Sequence, residues 1–246
     1  MSQLKRTNDR KTTARVNANG TQSLLKNAFS LPSGTAFSCP GATKVCETVC
    51  YAGKLERQYP AFIALAMHNW ELLKDASLDV MISLLNEMIS EFSQECAKNN
   101  ISKVFRWHAD GDVFSAEYAQ AIEFTCLDFP DIQFWIYTRS FDYVGFLANI
   151  PNLSVYLSVD SENEEKALET KAEYPSVRLA YLSETHENGK EWMLENTGKP
   201  GAICPENAKR IPLITKNGGA CVTCGLCIFG KADIRFASKV SKRRAK

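Results

Sequence analysis

The feature that most constrains this chain is a rhythm in its second half. Apolar runs at residues 101–107, 132–137, 153–159 and 177–182 are each followed by a polar turn and a helical pattern, at 115–127, 141–148, up to 172 and through Trp192. A helix between successive strands leaves no room for hairpins, so the strands must run parallel through βα crossovers. The runs are apolar on almost every residue, as strands covered on both faces require. The expected fold class is therefore α/β: a partial (β/α) barrel of parallel strands with N-terminal and C-terminal cysteine-rich loops.

Residues 60–74 place Phe62, Ile63, Leu65, Ala66, Trp70 and Leu73 at helical spacing. Residues 78–97 do the same with Val80, Met81, Leu84, Leu85, Met88, Ile89 and Phe92, and Asn99-Asn100 closes that helix. Residues 24–31 predict a short strand, and residues 1–20 are polar without periodicity. The expected division is a flexible basic arm at 1–20, the α/β partial barrel with its N-terminal cysteine loop at 21–200, a C-terminal cysteine-cluster segment at 201–230, and a basic tail at 231–246.

A chain of 246 residues, 45% hydrophobic and 23% charged, can bury a full core. No apolar run approaches the roughly 18–20 residues of a membrane span. The start, Met1-Ser2-Gln3-Leu4-Lys5-Arg6, has no apolar stretch behind it, so no signal peptide and a cytoplasmic location are expected. The net charge of +1 hides basic ends: five basic residues against Asp9 in 1–19, and seven against Asp233 in 230–246. Such ends suit nucleic-acid phosphates, although solvated termini often look the same.

Polar residues gather just after each strand: Arg106, His108, Asp110 and Asp112, then Thr138 and Arg139, then Ser158 and Asp160, then Glu184 and His186. Parallel α/β folds build ligand sites at these carboxyl ends. Strands must end in something polar, but turn chemistry favours Gly, Asn, Asp, Pro and Ser and does not explain Arg106, His108 or Arg139. His108, Asp110, Asp112 and Arg139 are the catalytic candidates.

Seven of the nine cysteines fall in two groups. Cys39, Cys46 and Cys50 are spaced C-x6-C-x3-C; Cys221, Cys224 and Cys227 are spaced C-x2-C-x2-C, with Cys204-Pro205 upstream. In a reducing compartment, clustered thiols point to metal or catalysis rather than disulfides. The C-terminal run has the spacing that ferredoxin-type clusters use. Four-thiolate zinc is the other reading, though zinc sites usually come as two C-x2-C pairs. The N-terminal trio would leave one iron of a four-iron cluster open to a substrate or cofactor, unless another ligand closes it. Cys96 and Cys126 lie among apolar residues in helical patterns and read as core. His68 reads as a helix-surface or capping residue.

A three-cysteine loop ending Cys46-x3-Cys50-Tyr51 and followed by βα units resembles the radical S-adenosylmethionine partial barrel. More closely, Cys39-Pro40-Gly41-Ala42, Cys50-Tyr51-Ala52-Gly53, Arg106-Trp107-His108-Ala109-Asp110-Gly111-Asp112, Tyr137-Thr138-Arg139-Ser140 and Cys221-Val222-Thr223-Cys224-Gly225-Leu226-Cys227 resemble the phage gene 88 protein family over residues 25–230. The radical resemblance implies a [4Fe–4S] cluster on Cys39, Cys46 and Cys50, whose open iron takes the amino and carboxylate groups of S-adenosylmethionine. It places Asp110-Gly111-Asp112 where that superfamily has its methionine-binding acidic motif. It makes Arg106, Asp110, Asp112, Ser158 and Asp160 cofactor-binding candidates, and the C-terminal cysteines resemble auxiliary clusters. The spacing departs from the superfamily's usual C-x3-C-x2-C.

Three functions follow as expectations. The first is an iron–sulfur protein with one or two [4Fe–4S] clusters, acting as a radical S-adenosylmethionine-like enzyme on a small molecule or nucleic acid, with an electron donor as partner and no membrane. The second is a non-catalytic iron–sulfur phage protein of the host cytoplasm, with an electron-transfer or structural cluster. The third is a nucleic-acid-binding protein with a metal scaffold.

Overall fold

A computed structural model describes residues 3–13 and 25–239. Strand β1 (Ala28–Ser30) is followed by α1 (Lys44–Val49), α2 (Tyr51–Gln58), α3 (Pro60–Leu73) and the long α4 (Leu78–Asn99). The rhythm then runs β2 (Val104–Asp110), α5 (Ala116–Asp128), β3 (Gln133–Thr138), a 3-10 helix (Phe141–Phe146), β4 (Leu153–Val159), α6 (Glu164–Glu173), β5 (Arg178–Ser183) and α7 (His186–Thr197). The C-terminal part adds β6 (Ala202–Ile203), β7 (Ile214–Thr215), β8 (Gly218–Gly219), α8 (Ala220–Cys224) and β9 (Ile234–Ala237).

Seven strands form one sheet in the order β1-β2-β3-β4-β5-β9-β6, and every pair is parallel. The fold is α/β, with β1 and β6 as the edges of the sheet among the described residues. From β1 to β5 each new strand is laid beside the last. With right-handed crossovers, that puts the connecting helices on one face. Phe105, Trp107, Phe134, Ile136, Leu157 and Leu179 accordingly join Leu85, Phe92, Ile122 and Met193 of the helices in the main core. Cys96 and Cys126 are both buried there, and the Trp107 indole donates to the Cys126 sulfur at 3.4 Å.

The other face is covered by the C-terminal segment, with the short α8 as its one helix among the described residues. Val104, Trp135 and Tyr137, with Tyr156, Ala180 and Ile234, pack against Cys204, Cys221, Leu226, Cys227 and Ile228. Polar side chains of the sheet seat this segment. Gln133 and Ser154 each donate to the Ile228 carbonyl at 2.9 Å, and the Tyr156 hydroxyl reaches the Ala232 carbonyl at 2.9 Å. The continuous apolar pattern of the strands thus has two different partners, helices on one side and the cysteine segment on the other.

Two stretches expected to be loose are packed. Residues 3–13, inside the arm expected at 1–20, lie as a strap on the sheet, with Leu4, Thr7, Thr12 and Thr13 buried. Thr7 pairs antiparallel with Ala28, and the fully buried Asn69 of α3 grips both backbone groups of Lys5 at 2.8 and 2.9 Å. Further on, the Cys221 and Gly219 amides donate to the Lys11 and Thr13 carbonyls at 2.9 and 2.7 Å, and Lys11 ion-pairs with Glu206 at 3.0 Å. The tail expected at 231–246 contains β9, which lies inside the sheet between β5 and β6. The remaining residues of the expected arm and tail, 1–2, 14–20 and 240–246, lie outside the described residues. No helix among the described residues is long and apolar enough to cross a membrane.

Candidate functional site

The N-terminal cysteines stand at the carboxyl ends of β2, β3 and β4. They are not all on a loop. Cys39 is in the turn, Cys46 lies within α1, and Cys50 caps α2, its sulfur accepting from the Gly53 amide at 3.4 Å. Thr43 starts α1 by accepting from the Cys46 amide at 3.0 Å, and its hydroxyl donates to Asp160 at 2.7 Å. Gly41 allows this turn to press on the β3 end, because a Cβ there would stand 2.6 Å from the Arg139 carbonyl carbon.

Around the cysteines, three polar residues form a rigid frame. The Asp112 carboxylate accepts from the Val113 and Arg139 amides at 2.8 and 2.7 Å. The Arg139 guanidinium pairs with Asp160 at 2.6 Å, and Asp160 has no exposed surface. Burial pushes the Cys39 thiol up to about 12, with the Asp112 charge adding to it. Burial also raises Cys46, and the Arg139 guanidinium opposes the rise. Cys46 feels Cys50, Asp160 and Asp112 as neighbouring charges, and Cys39 feels Cys46. Burial lifts Asp112 to about 6, against its hydrogen bonds.

Asp110 differs from Asp112. One of its carboxylate oxygens is buried without a partner, and burial lifts the group to about 7, with Glu56 and Asp9 adding to the effect and Arg106 opposing it. Strand β2 is irregular here. Ala28 pairs with Arg106 but Ser30 pairs with Asp110, so three residues of β2 oppose one of β1. His108 lies inside this bulge with a φ of 55°, a strained value for a residue with a side chain.

The bulge turns His108 away from the cysteines. Its Nε2 is 2.9 Å from the Tyr118 hydroxyl, and its ring lies against Phe29 and Tyr118 in the helix-side core. Burial, then the Arg106 charge, hold it down at about 3, so it stays neutral. The expectation that His108 faces the mouth does not hold, because strand alternation is broken at that residue. Arg106 is likewise not open to a ligand. Its guanidinium pairs with Asp9 of the strap, donates to the Tyr51 hydroxyl at 3.2 Å, and lies over the Trp135 and Tyr137 rings at 5.0 and 5.8 Å. Ser158 is half-buried at the end of β4, where its carbonyl accepts from Asn163 at 3.1 Å.

The C-terminal cysteines form a second neighbourhood on the sheet face, with Cys221 and Cys224 within α8. Cys227 feels Cys204 and Cys224 as neighbouring charges, and Cys221 feels Cys227. Burial raises Cys227 to about 12, partly offset by a hydrogen bond from the Tyr137 hydroxyl. Burial also raises Cys204 and Cys221. Arg106 lies between the two groups. It touches Tyr51, which adjoins Cys50, and its charge reaches Cys221 and Cys227. No local pattern joins Tyr51, Asp9 and Tyr137 to the two groups through this arginine, because they are far apart along the chain.

Neither neighbourhood is drawn in to metal-binding distance: among the described residues, no three His, Cys, Asp or Glu side chains are placed to hold a metal ion. The donor chemistry is nonetheless that of soft metals, three thiols in one group and four in the other.

Comparison with known proteins places these features in a lineage. The family model described as Gene product 88 matches residues 2–230. The Gene 88 protein of Mycobacterium phage L5 is 42% identical over 246 residues, covering 97% of this chain and 99% of that protein. The Gene 88 protein of Mycobacterium phage D29 is 42% identical over 247 residues, with the same coverage. No solved structure matches.

Proposed function

The chain belongs to the Gene product 88 family; from its two cysteine groups and the polar residues at its strand ends, we propose that it is an iron–sulfur enzyme of radical S-adenosylmethionine type, working in the cytoplasm of a phage-infected cell. The observation that supports this most is the meeting of Cys39, Cys46 and Cys50 with Asp112, Arg139 and Asp160 at the carboxyl ends of an all-parallel sheet. The sequential order of β1 to β5, with their helices on one face, is compatible with the partial (β/α) barrel this reading calls for.

A [4Fe–4S] cluster held by the three thiolates would supply the single electron that cleaves a sulfonium. The chain's own residues prepare the place for it. Arg139, fixed by Asp160, keeps a positive charge beside Cys46 and favours its thiolate. Asp112 holds the β3 turn by its amide, so that the charge stays in position. Asp110, with an oxygen free of partners, is the acceptor a cationic group of a bound cofactor would meet. Arg106, over the Trp135 and Tyr137 rings, keeps a buried positive charge between the two cysteine groups.

The test begins with iron and acid-labile sulfide on anaerobically reconstituted protein. About eight irons per chain indicate two clusters and about four indicate one, whereas zinc in their place overturns the chemistry. S-adenosylmethionine and a reductant should then change the cluster spectrum and yield 5′-deoxyadenosine. If neither occurs with clusters present, the enzymatic reading fails. A non-catalytic cluster is then the better account, and the seating of Cys204, Cys221 and Cys227 against the apolar face of the sheet favours it for the second group.

A further inference from the structure

A different group of side chains lies at the start of α7, outside the cysteine site. Arg235 of β9 is 8% exposed and forms no ion pair among the described residues. Its Nε and Nη1 donate to the backbone carbonyls of Gly201 and His186, at 3.3 and 2.5 Å. Arg210, exposed on the segment after Cys204, has no carboxylate partner among the described residues, and its charge acts on both Arg235 and His186. Both ring nitrogens of His186 are buried without a hydrogen-bond partner.

A cross-brace between β9 and α7 accounts for two N–H groups of Arg235. It does not account for the remaining N–H groups of a guanidinium that makes no ion pair among the described residues, or for an imidazole with neither nitrogen satisfied. Of the acids nearby, Glu187 acts on Arg235 as a counter-charge, but from an exposed position and shared with a lysine. Glu187 is paired with Lys190 at 2.7 Å, and Glu184 is paired with Lys239. The positive end of the α7 dipole adds to the same charge.

We propose that Arg235, Arg210 and His186 form a binding site for a phosphate group, carried by the substrate as a phosphate ester. A planar carboxylate is satisfied by one guanidinium fork, whereas donors from three side chains on three different segments suit a tetrahedral oxyanion. The start of α7 is also the kind of place, a helix N-terminus, where phosphates bind. The inference does not depend on the cysteines holding iron.

The experiment titrates the full-length protein with inorganic phosphate and follows the imidazole signals by NMR. The chain has three histidines, so each can be assigned. His186 should shift saturably, while His68 and His108 stay in place, and an equal ionic strength of chloride should have no such effect. Arg210→Gln, a surface change, should weaken binding about tenfold or more, as loss of a charge-assisted contact does. A 5′-mononucleotide that binds more tightly than its nucleoside, and loses that advantage in Arg210→Gln, supports an ester as the natural ligand. Inorganic phosphate binding at least as tightly as the nucleotide would show a free-phosphate site and overturn the ester. A His186 signal that does not move, or that moves equally with chloride or in Arg210→Gln, overturns the site. Iron content, measured in parallel, separates these outcomes from any failure of the cysteine reading.

Discussion

Replacing Asp160 with Asn tests whether the frame around the N-terminal cysteines is held by one carboxylate. Asp160 accepts from Arg139 at 2.6 Å, Thr43 at 2.7 Å and the Glu162 amide at 3.0 Å. Its side chain has no exposed surface and that of Arg139 is 10% exposed. Removing one member of such a pair typically costs about 3–5 kcal/mol, because a buried charge is left behind. Asn keeps the shape and an acceptor for the Glu162 amide, so the lower end, about 3 kcal/mol, is expected. For a chain of this length that lowers Tm by roughly 6–12 °C. The assay is thermal melting of reduced protein in a chelator, with Glu162→Gln as an exposed control that costs less than about 1 kcal/mol. The double variant Arg139→Met, Asp160→Asn should regain most of the loss, since no charge is stranded. A single variant that loses less than about 1 kcal/mol, or a double variant worse than both singles together, would refute the argument.

Three further outcomes are expected. Asp110, raised to about 7 from an ordinary 3.8, binds more protons folded than unfolded between those values; wild-type stability should therefore fall relative to Asp110→Asn as pH rises from 4 to 7, by at most a few kcal/mol, and urea midpoints that stay parallel would contradict this. Gly41→Ala should cost about 2 kcal/mol by forcing the cysteine turn off the Arg139 carbonyl, and should expose Cys39 to thiol reagents; unchanged melting and thiol reactivity would show that the turn has slack. Asn69→Ala leaves the Lys5 backbone and the Ser30 carbonyl without their buried partner, at about 3 kcal/mol, so proteases should cut within residues 3–13 at concentrations that spare the wild type.

The βα rhythm was legible because each strand is a dense apolar run and each helix shows its own period. Strand β2 was legible only in part. Its sequence continues as Trp107-His108-Ala109-Asp110, and neither apolar content nor alternation marks a bulge that turns His108 to the helix side. Strand β9 was missed because Ile234-Arg235-Phe236-Ala237 is short and lies in a basic stretch that reads as a tail. The strap at residues 3–13 was missed for a related reason. Its polar side chains suggest solvent, but Thr7, Thr12 and Asp9 are satisfied by Ser30, Asn27 and Arg106 inside the protein. The cysteine groups were visible from spacing alone, whereas their shared neighbour Arg106 depends on three-dimensional closure that no local pattern encodes.

The bonds from Lys11 and Thr13 to Cys221 and Gly219 join the beginning of the chain to nearly its end. Such a latch closes only when synthesis is almost complete, and closing so long a loop is slow as well as entropically costly. While the polypeptide is still being made, the sheet face that carries Trp135, Tyr137 and Tyr156 waits uncovered and the C-terminal thiols do not yet exist. Synthesis thus makes β1 to β5 and their helices available first, then the C-terminal thiols and β9, which completes the sheet, and the bonds from Lys11 and Thr13 can form only after that. A nonsense mutation just upstream of Gly219 would also take away the partners of Lys11 and Thr13 at the start of the chain.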